Sequence, residues 1–135
     1  MVFDPADDLA RKAVDWAKRR FPESKVDYSA ADLFALPEEW RGAFDLVHEC
    51  YTLQALPADL LKPAFAALAA TLKPRGELLV VARARDEDQT IPGPPWPLPR
   101  SAFDLAHEAG LRLVSLEDVP ARDNMVRHWR AVLTR

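Results

Sequence analysis

Residues 42–56 read GAFDLVHECYTLQAL. Gly42 is a turn residue. Phe44-Asp45-Leu46-Val47-His48-Glu49-Cys50 then has the character of a short strand that becomes polar at its C-terminal end. Open α/β sheets bind ligands beyond the carboxyl ends of their strands, so His48-Glu49-Cys50-Tyr51 is a candidate site. Strand ends are also polar simply because they meet water. The same residues therefore read equally well as a solvated terminus, and the flanking chain has to separate the two readings.

Towards the C-terminus, Pro57 to Pro63 is a proline-bounded connector, and a helix is predicted to follow to about Lys73. It carries Leu61, Phe65, Leu68 and Leu72 on one face, beside small alanines that allow close packing on a sheet. Lys73-Pro74-Arg75-Gly76 ends it, with Gly76 as the expected chain reversal. Glu77 to Ala82 is a nearly continuous apolar run, the pattern of a strand buried on both faces of a parallel sheet. It gives way to the charged run Arg83 to Asp88. Ile91 to Pro99 holds five prolines in nine residues, which excludes helix and central strand and leaves a stiff loop carrying Trp96. Ser101 to Asp104 resembles a capping box opening a short helix that Gly110 closes. Leu111 to Glu117 and Val126 to Leu133 are strands with no helix between them, so they are expected to pair antiparallel.

Towards the N-terminus, Asp4-Pro5-Ala6-Asp7 reads as a helix start. Leu9, Ala13, Trp16, Ala17 and Phe21 follow at helical spacing, and Lys18-Arg19-Arg20 sits where the helix dipole favours cations. Pro22 stops the helix. Lys25 to Ala30 is a modest strand running into Ala31-Asp32-Leu33, and Leu36 to Trp40 is a loop or single turn. Strands alternating with helices and finishing in an antiparallel pair indicate a three-layer α/β sheet.

Composition limits what such a sheet serves. The 135 residues suit one domain over positions 1–135, with 49% apolar and 29% charged residues and a net charge of −3,. No basic excess suggests a nucleic acid or an anionic membrane as partner. No apolar run approaches the ~20 residues of a membrane span, and Met1-Val2-Phe3-Asp4-Pro5 does not resemble a secretory signal. A single cysteine, Cys50, excludes an internal disulfide framework,, which fits a cytoplasmic setting.

Several stretches together resemble one family. They are Asp8-Leu9-Ala10 with Ala13, Trp16 and Ala17; Ala31-Asp32-Leu33; Phe44-Asp45-Leu46-Val47 with Leu53 and Leu56; Leu72-Lys73-Pro74-Arg75-Gly76-Glu77-Leu78-Leu79; and the antiparallel last pair. In this order they are similar to the small-molecule, thiopurine-methyltransferase-like class I S-adenosylmethionine-dependent methyltransferases. The resemblance implies a Rossmann-like, mostly parallel sheet, S-adenosylmethionine as cofactor and a small-molecule methyl acceptor. It implies that an acidic residue holds the cofactor ribose, either Asp8, which downstream spacing favours, or Asp4, which local capping would otherwise use. Asp32 would accept from the adenine amino group, or else is a strand-end cap, and the Leu33 backbone N–H would reach an adenine ring nitrogen. Glu49, Cys50 and Tyr51 would line the methionine end. No catalytic residue is implied, since transfer from a sulfonium chiefly needs an aligned nucleophile. His48 or Glu49 could accept a proton.

One family feature is missing: a first strand ending in a glycine-rich loop. The only glycines are Gly42, Gly76, Gly93 and Gly110. The family's sheet order is similar to 3-2-1-4-5-7-6, so the missing strand belongs between the second and the fourth. The fourth would then present a bare edge, and a homodimer through that edge is expected. A scaffold or fragment that no longer binds cofactor and serves as a dimerisation or interaction module is the alternative. His48 and Cys50 offer two metal ligands where a structural zinc site uses four, and Cys50 lacks the orienting group a nucleophile needs, so no metal is expected.

Overall fold

The computed structural model describes residues 2–3 and 7–135, with side chains from Ala10 onward. It divides into two compact units, Met1–Glu38 and Glu39–Arg135.

In the first unit, strand β1 (Val2–Phe3) pairs in parallel with β2 (Ala30–Ala31), and helix α1 (Asp7–Arg20) connects them. This is a short parallel crossover. The helix ends at Arg20, just before Pro22, with its three basic residues in the last turn, as expected from the proline and the dipole. The strand expected over Lys25 to Ala30 is reduced to its last residue and Ala31. Ser24 and Tyr28 bond to each other within the preceding segment, and Val26 N–H donates to Ser24 Oγ. Such local bonds offer the backbone an alternative to a ladder.

The second unit begins with a 3-10 turn (Glu38–Trp40 lies across the boundary) and contains strand β3 (Phe44–Cys50), helix α2 (Leu61–Thr71), β4 (Leu72–Arg83), helix α3 (Ala102–Glu108), β5 (Arg112–Val119) and β6 (His128–Thr134). Two further 3-10 turns, Leu53–Ala55 and Ala58–Leu60, fill the connector before α2. The sheet order is β3-β4-β6-β5, with β3 parallel to β4 and the last two strands antiparallel. This is the 4-5-7-6 part of the expected order, and β1–β2 supplies the 2-3 part. Among the described residues no strand pairs with the outer side of β3, so β3 is an edge of its sheet.

The core lies between the sheet and α2 with α3. Leu78, Val80 and Ala82 of β4 and Ala131 and Leu133 of β6 are fully buried, facing Ala64, Phe65 and Leu68 of α2 and Phe103 and Ala106 of α3. The Phe65 and Phe103 rings meet at 6.4 Å. The expectation that β4 is buried on both faces needs correction. The alternate residues Leu79, Val81 and Val132 are only half-buried, and Leu46 is 54% exposed, because both helices of this unit cover the same face.

Two local readings also change. Gly76 is not the positive-φ reversal; Arg75 is, at φ 65°. Gly76 is required by contact, since a β-carbon there would lie 2.9 Å from the Lys73 carbonyl oxygen and 3.0 Å from that of Phe44. Ser101 does not cap α3 with its hydroxyl. Its N–H and Oγ instead donate to the two carboxylate oxygens of Glu87, at 2.8 and 2.7 Å.

Candidate active site

The carboxyl ends of β3 and β4 meet in the second unit at Cys50-Tyr51 and Arg83-Ala84. Glu49 shares a face with Val47 and so points to the helix-covered side, where it is 2% exposed. Its Oε1 accepts from the backbone N–H groups of Thr52 (2.5 Å) and Leu53 (3.0 Å), which start the 3-10 turn. Its Oε2 is buried and has no hydrogen-bond partner among the described residues. Burial pushes the carboxyl up to about 7, and the two backbone donors pull the other way without cancelling the effect,. Such a group is unfinished. It needs a proton, or a cation, on Oε2.

Tyr51 stands at the turn with φ 69°, a left-handed conformation that costs a residue other than glycine ~1–2 kcal/mol. Hydrogen bonds on both sides hold it there. Its N–H donates to the Val81 carbonyl at 3.1 Å, and Glu49 ties down the two residues that follow. The strain places the Tyr51 hydroxyl 2.7 Å from Nε2 of His128, with the rings 5.5 Å apart and 30° from parallel. His128 opens β6 opposite Arg83. The expected strand order, with the last strand between the fifth and the sixth, brings the start of β6 to the end of β4 and His128 with it.

Gln54 is buried and joins three segments. Its Oε1 accepts from Arg83 N–H and its carbonyl from Trp96 N–H, both at 2.6 Å. His48 and Cys50 point to the other face and are exposed. Burial and then the neighbouring Glu49 charge push the Cys50 thiol up, away from a reactive thiolate. No metal-ligating cluster is present among the described residues.

In the first unit, Asp32 follows the carboxyl end of β2. Its Oδ1 accepts from Phe34 N–H at 2.8 Å and its carbonyl from Ala35 N–H at 3.1 Å, so the capping role is real and occupies one of the two carboxylate oxygens. Leu33 is buried. Asp8 lies in the first turn of α1. Its side chain, and Asp4 altogether, lie outside the described residues. The structure therefore brings Glu49 and Tyr51 together at one strand end and adds His128 to them.

The donor chemistry fits the expected cofactor. The amino-acid end of S-adenosylmethionine carries an ammonium, and a buried carboxylate oxygen lacking a partner suits a cation.

Comparison with known proteins gives the same family. The family described as thiopurine S-methyltransferase matches residues 8–134. The N-methyltransferase verN of Clonostachys rogersoniana is 27% identical over 110 residues, which cover 70% of this chain and 38% of that protein. Among solved structures, the [4+2]-cyclase SpnF superimposes with a TM-score of 0.75 at 16% identity, covering 98% of this chain and 64% of its own. The 1,6-didemethyltoxoflavin-N1-methyltransferase of Burkholderia thailandensis, with bound 1,6-didemethyltoxoflavin and S-adenosylhomocysteine, gives 0.71 at 17%, covering 90% and 56%. The chain thus spans well under half of the curated relative and under two thirds of these structures, and the structural matches establish the Rossmann-like methyltransferase fold.

Proposed function

The chain belongs to the thiopurine S-methyltransferase family of S-adenosylmethionine-dependent methyltransferases, and from that premise we propose that it takes part in methyl transfer to a small molecule. The observation that carries the proposal is the buried, half-satisfied Glu49 carboxylate at the carboxyl end of β3. We assign its Oε2 to the cofactor's ammonium and Tyr51 to the same end. In the first unit, the reading assigns Asp32 to the adenine amino group, the Leu33 N–H to a ring nitrogen and Asp8 to the ribose hydroxyls.

S-adenosylmethionine, when bound, supplies a methyl group that its sulfonium already makes electrophilic. What remains for the protein is to align the acceptor and remove its proton. The Tyr51–His128 pair is suited to the second task. The Tyr51 oxygen takes the proton shed by a nitrogen or oxygen nucleophile while its own proton passes to Nε2 of His128,.

Calorimetric titration with S-adenosylhomocysteine tests the assignment. Micromolar binding is expected, weakened about tenfold in Asp32→Ala, as befits one hydrogen bond to a charged group. No heat at high protein concentration would sink the enzymatic reading and leave an interaction module.

The edge strand supports a second copy as partner. Because Tyr51 N–H bonds to β4, the alternation of a parallel ladder turns the N–H and C=O groups of Leu46, His48 and Cys50 outward. An open edge beside half-exposed Leu79 and Val81 favours strand-to-strand association. Sedimentation velocity should find a dimer that Leu46→Lys converts to monomer. A monomeric wild type would rule out edge pairing.

A further inference from the structure

We propose that the cavity between the connector before α2 and the proline-rich loop is a binding site for a flat, apolar organic carboxylate. The cavity measures about 440 Å³, within the size range of small-molecule sites. Leu56, Pro57 and Leu61 form one wall, and Ile91, Trp96 and Leu98 the other.

The walls are held in place without a ligand. The loop is closed at its base, where Leu98 N–H donates to the Arg83 carbonyl (2.8 Å) and Arg85 N–H to the Leu98 carbonyl (3.0 Å). The indole N–H of Trp129 donates to that same Leu98 carbonyl at 2.8 Å. Trp96 N–H donates to the Gln54 carbonyl at 2.6 Å, which ties the loop to the segment before the connector wall. Prolines stiffen what lies between. A ligand entering such a site gives up its own freedom and little of the protein's.

The charge comes from Arg85, which also lines the cavity. Its Nε donates to the Pro97 carbonyl at 3.1 Å, and its Nη1 to the carbonyls of Asp86 (2.9 Å), Glu87 (3.3 Å) and Gln89 (2.8 Å). These acceptors are neutral, so they orient the guanidinium without cancelling its charge. Nη2 makes no hydrogen bond among the described residues, and no carboxylate forms an ion pair with Arg85 there. The nearby acids hydrogen-bond elsewhere, Asp86 with Arg127 at 2.7 Å and Glu87 with Ser101, and Glu87 feels the Arg85 charge without forming an ion pair with it. Asp88 stays exposed. A fixed guanidinium with a free N–H edge beside an apolar slot recognises a carboxylate.

The site does not depend on the cofactor, so its test is separate from the titration above. Calorimetry with 2-naphthoate on the full chain should give a sub-millimolar dissociation constant, and neutral 2-naphthamide should bind about tenfold more weakly for want of the charge-assisted bond. Equal affinity for the two would overturn the role of Arg85, and no binding of either would overturn the site. Ile91→Glu, which sets a carboxylate in the wall, should abolish naphthoate binding while leaving the far-ultraviolet circular dichroism intact. Naphthoate binding that survives this substitution would place the anion elsewhere and overturn the assignment.

Discussion

Urea unfolding of this chain should become harder as the pH falls from about 7 towards about 4.5. The direction is the reverse of ordinary acid sensitivity, and Glu49 is the cause. Its carboxyl titrates near 4.5 when unfolded and at about 7 when buried. Between those values the folded chain keeps a proton that the unfolded chain loses. The stabilisation is therefore fully present below about 4.5 and is lost as the pH rises through about 7. A shift of this size corresponds to about 3 kcal/mol. Glu87, Glu108 and Asp118 are shifted down instead, by Ser101, Lys62 and Arg127 respectively. Their contributions are present above their unfolded values and fade at lower pH, in a separate window, and all three side chains are exposed, where such pairs count for little. Glu49→Gln keeps an acceptor for Thr52 and Leu53 and removes the titration, so its urea midpoint should be flat across the window. A wild-type midpoint that is equally flat would mean that Oε2 is solvated. The same proton has to leave before an ammonium can bind, so affinity for S-adenosylhomocysteine should drop below about pH 7 in the wild type alone.

Gly76→Ala should destabilise the chain by about 3 kcal/mol, the upper part of the range for overpacking. The added β-carbon would meet the carbonyl oxygens of Lys73, Phe44 and Asp45 at 2.9, 3.0 and 3.3 Å. All three belong to the backbone, so no side chain can swing aside. The contact falls where the β3–β4 register slips, between Phe44 opposite Leu72 and Leu46 opposite Glu77. Relief therefore means moving one strand off the other. Gly42→Ala is the control. It has open space around it but a φ of 60°, so only the left-handed penalty of ~1 kcal/mol applies. If the two substitutions prove equally mild in thermal unfolding, the close approach at Gly76 is not real.

The bounds of β3 were legible because a turn glycine and a polar end bracket an apolar run, and the antiparallel finish because a turn too short for a crossover joins two strands. The fate of Glu49 was not legible. A polar residue ending a strand either meets water or folds under the next turn, and the backbone of residues 51–53 decides which. Gly76 was read as a reversal because glycine serves both positive φ and close contact, and only the neighbouring carbonyls tell these apart. Asp32 stayed open for a related reason, since one carboxylate can cap a loop and still present its second oxygen. His128 lay 77 residues from its partner Tyr51, and pairing at that range follows from strand topology rather than from any local motif.

The closed base at Arg83, Arg85 and Leu98 has a consequence for how this architecture diversifies. The sheet ends at one side of that clasp and α3 begins just past the other, so the segment spanning 86–97 hangs from a fixed neck. Lengthening a loop whose ends are already joined adds little entropy cost, growing only with the logarithm of its length. The segment therefore behaves as an exchangeable cassette. A different one could be spliced into the same neck, altering what the molecule recognises while the strands beneath it keep their register.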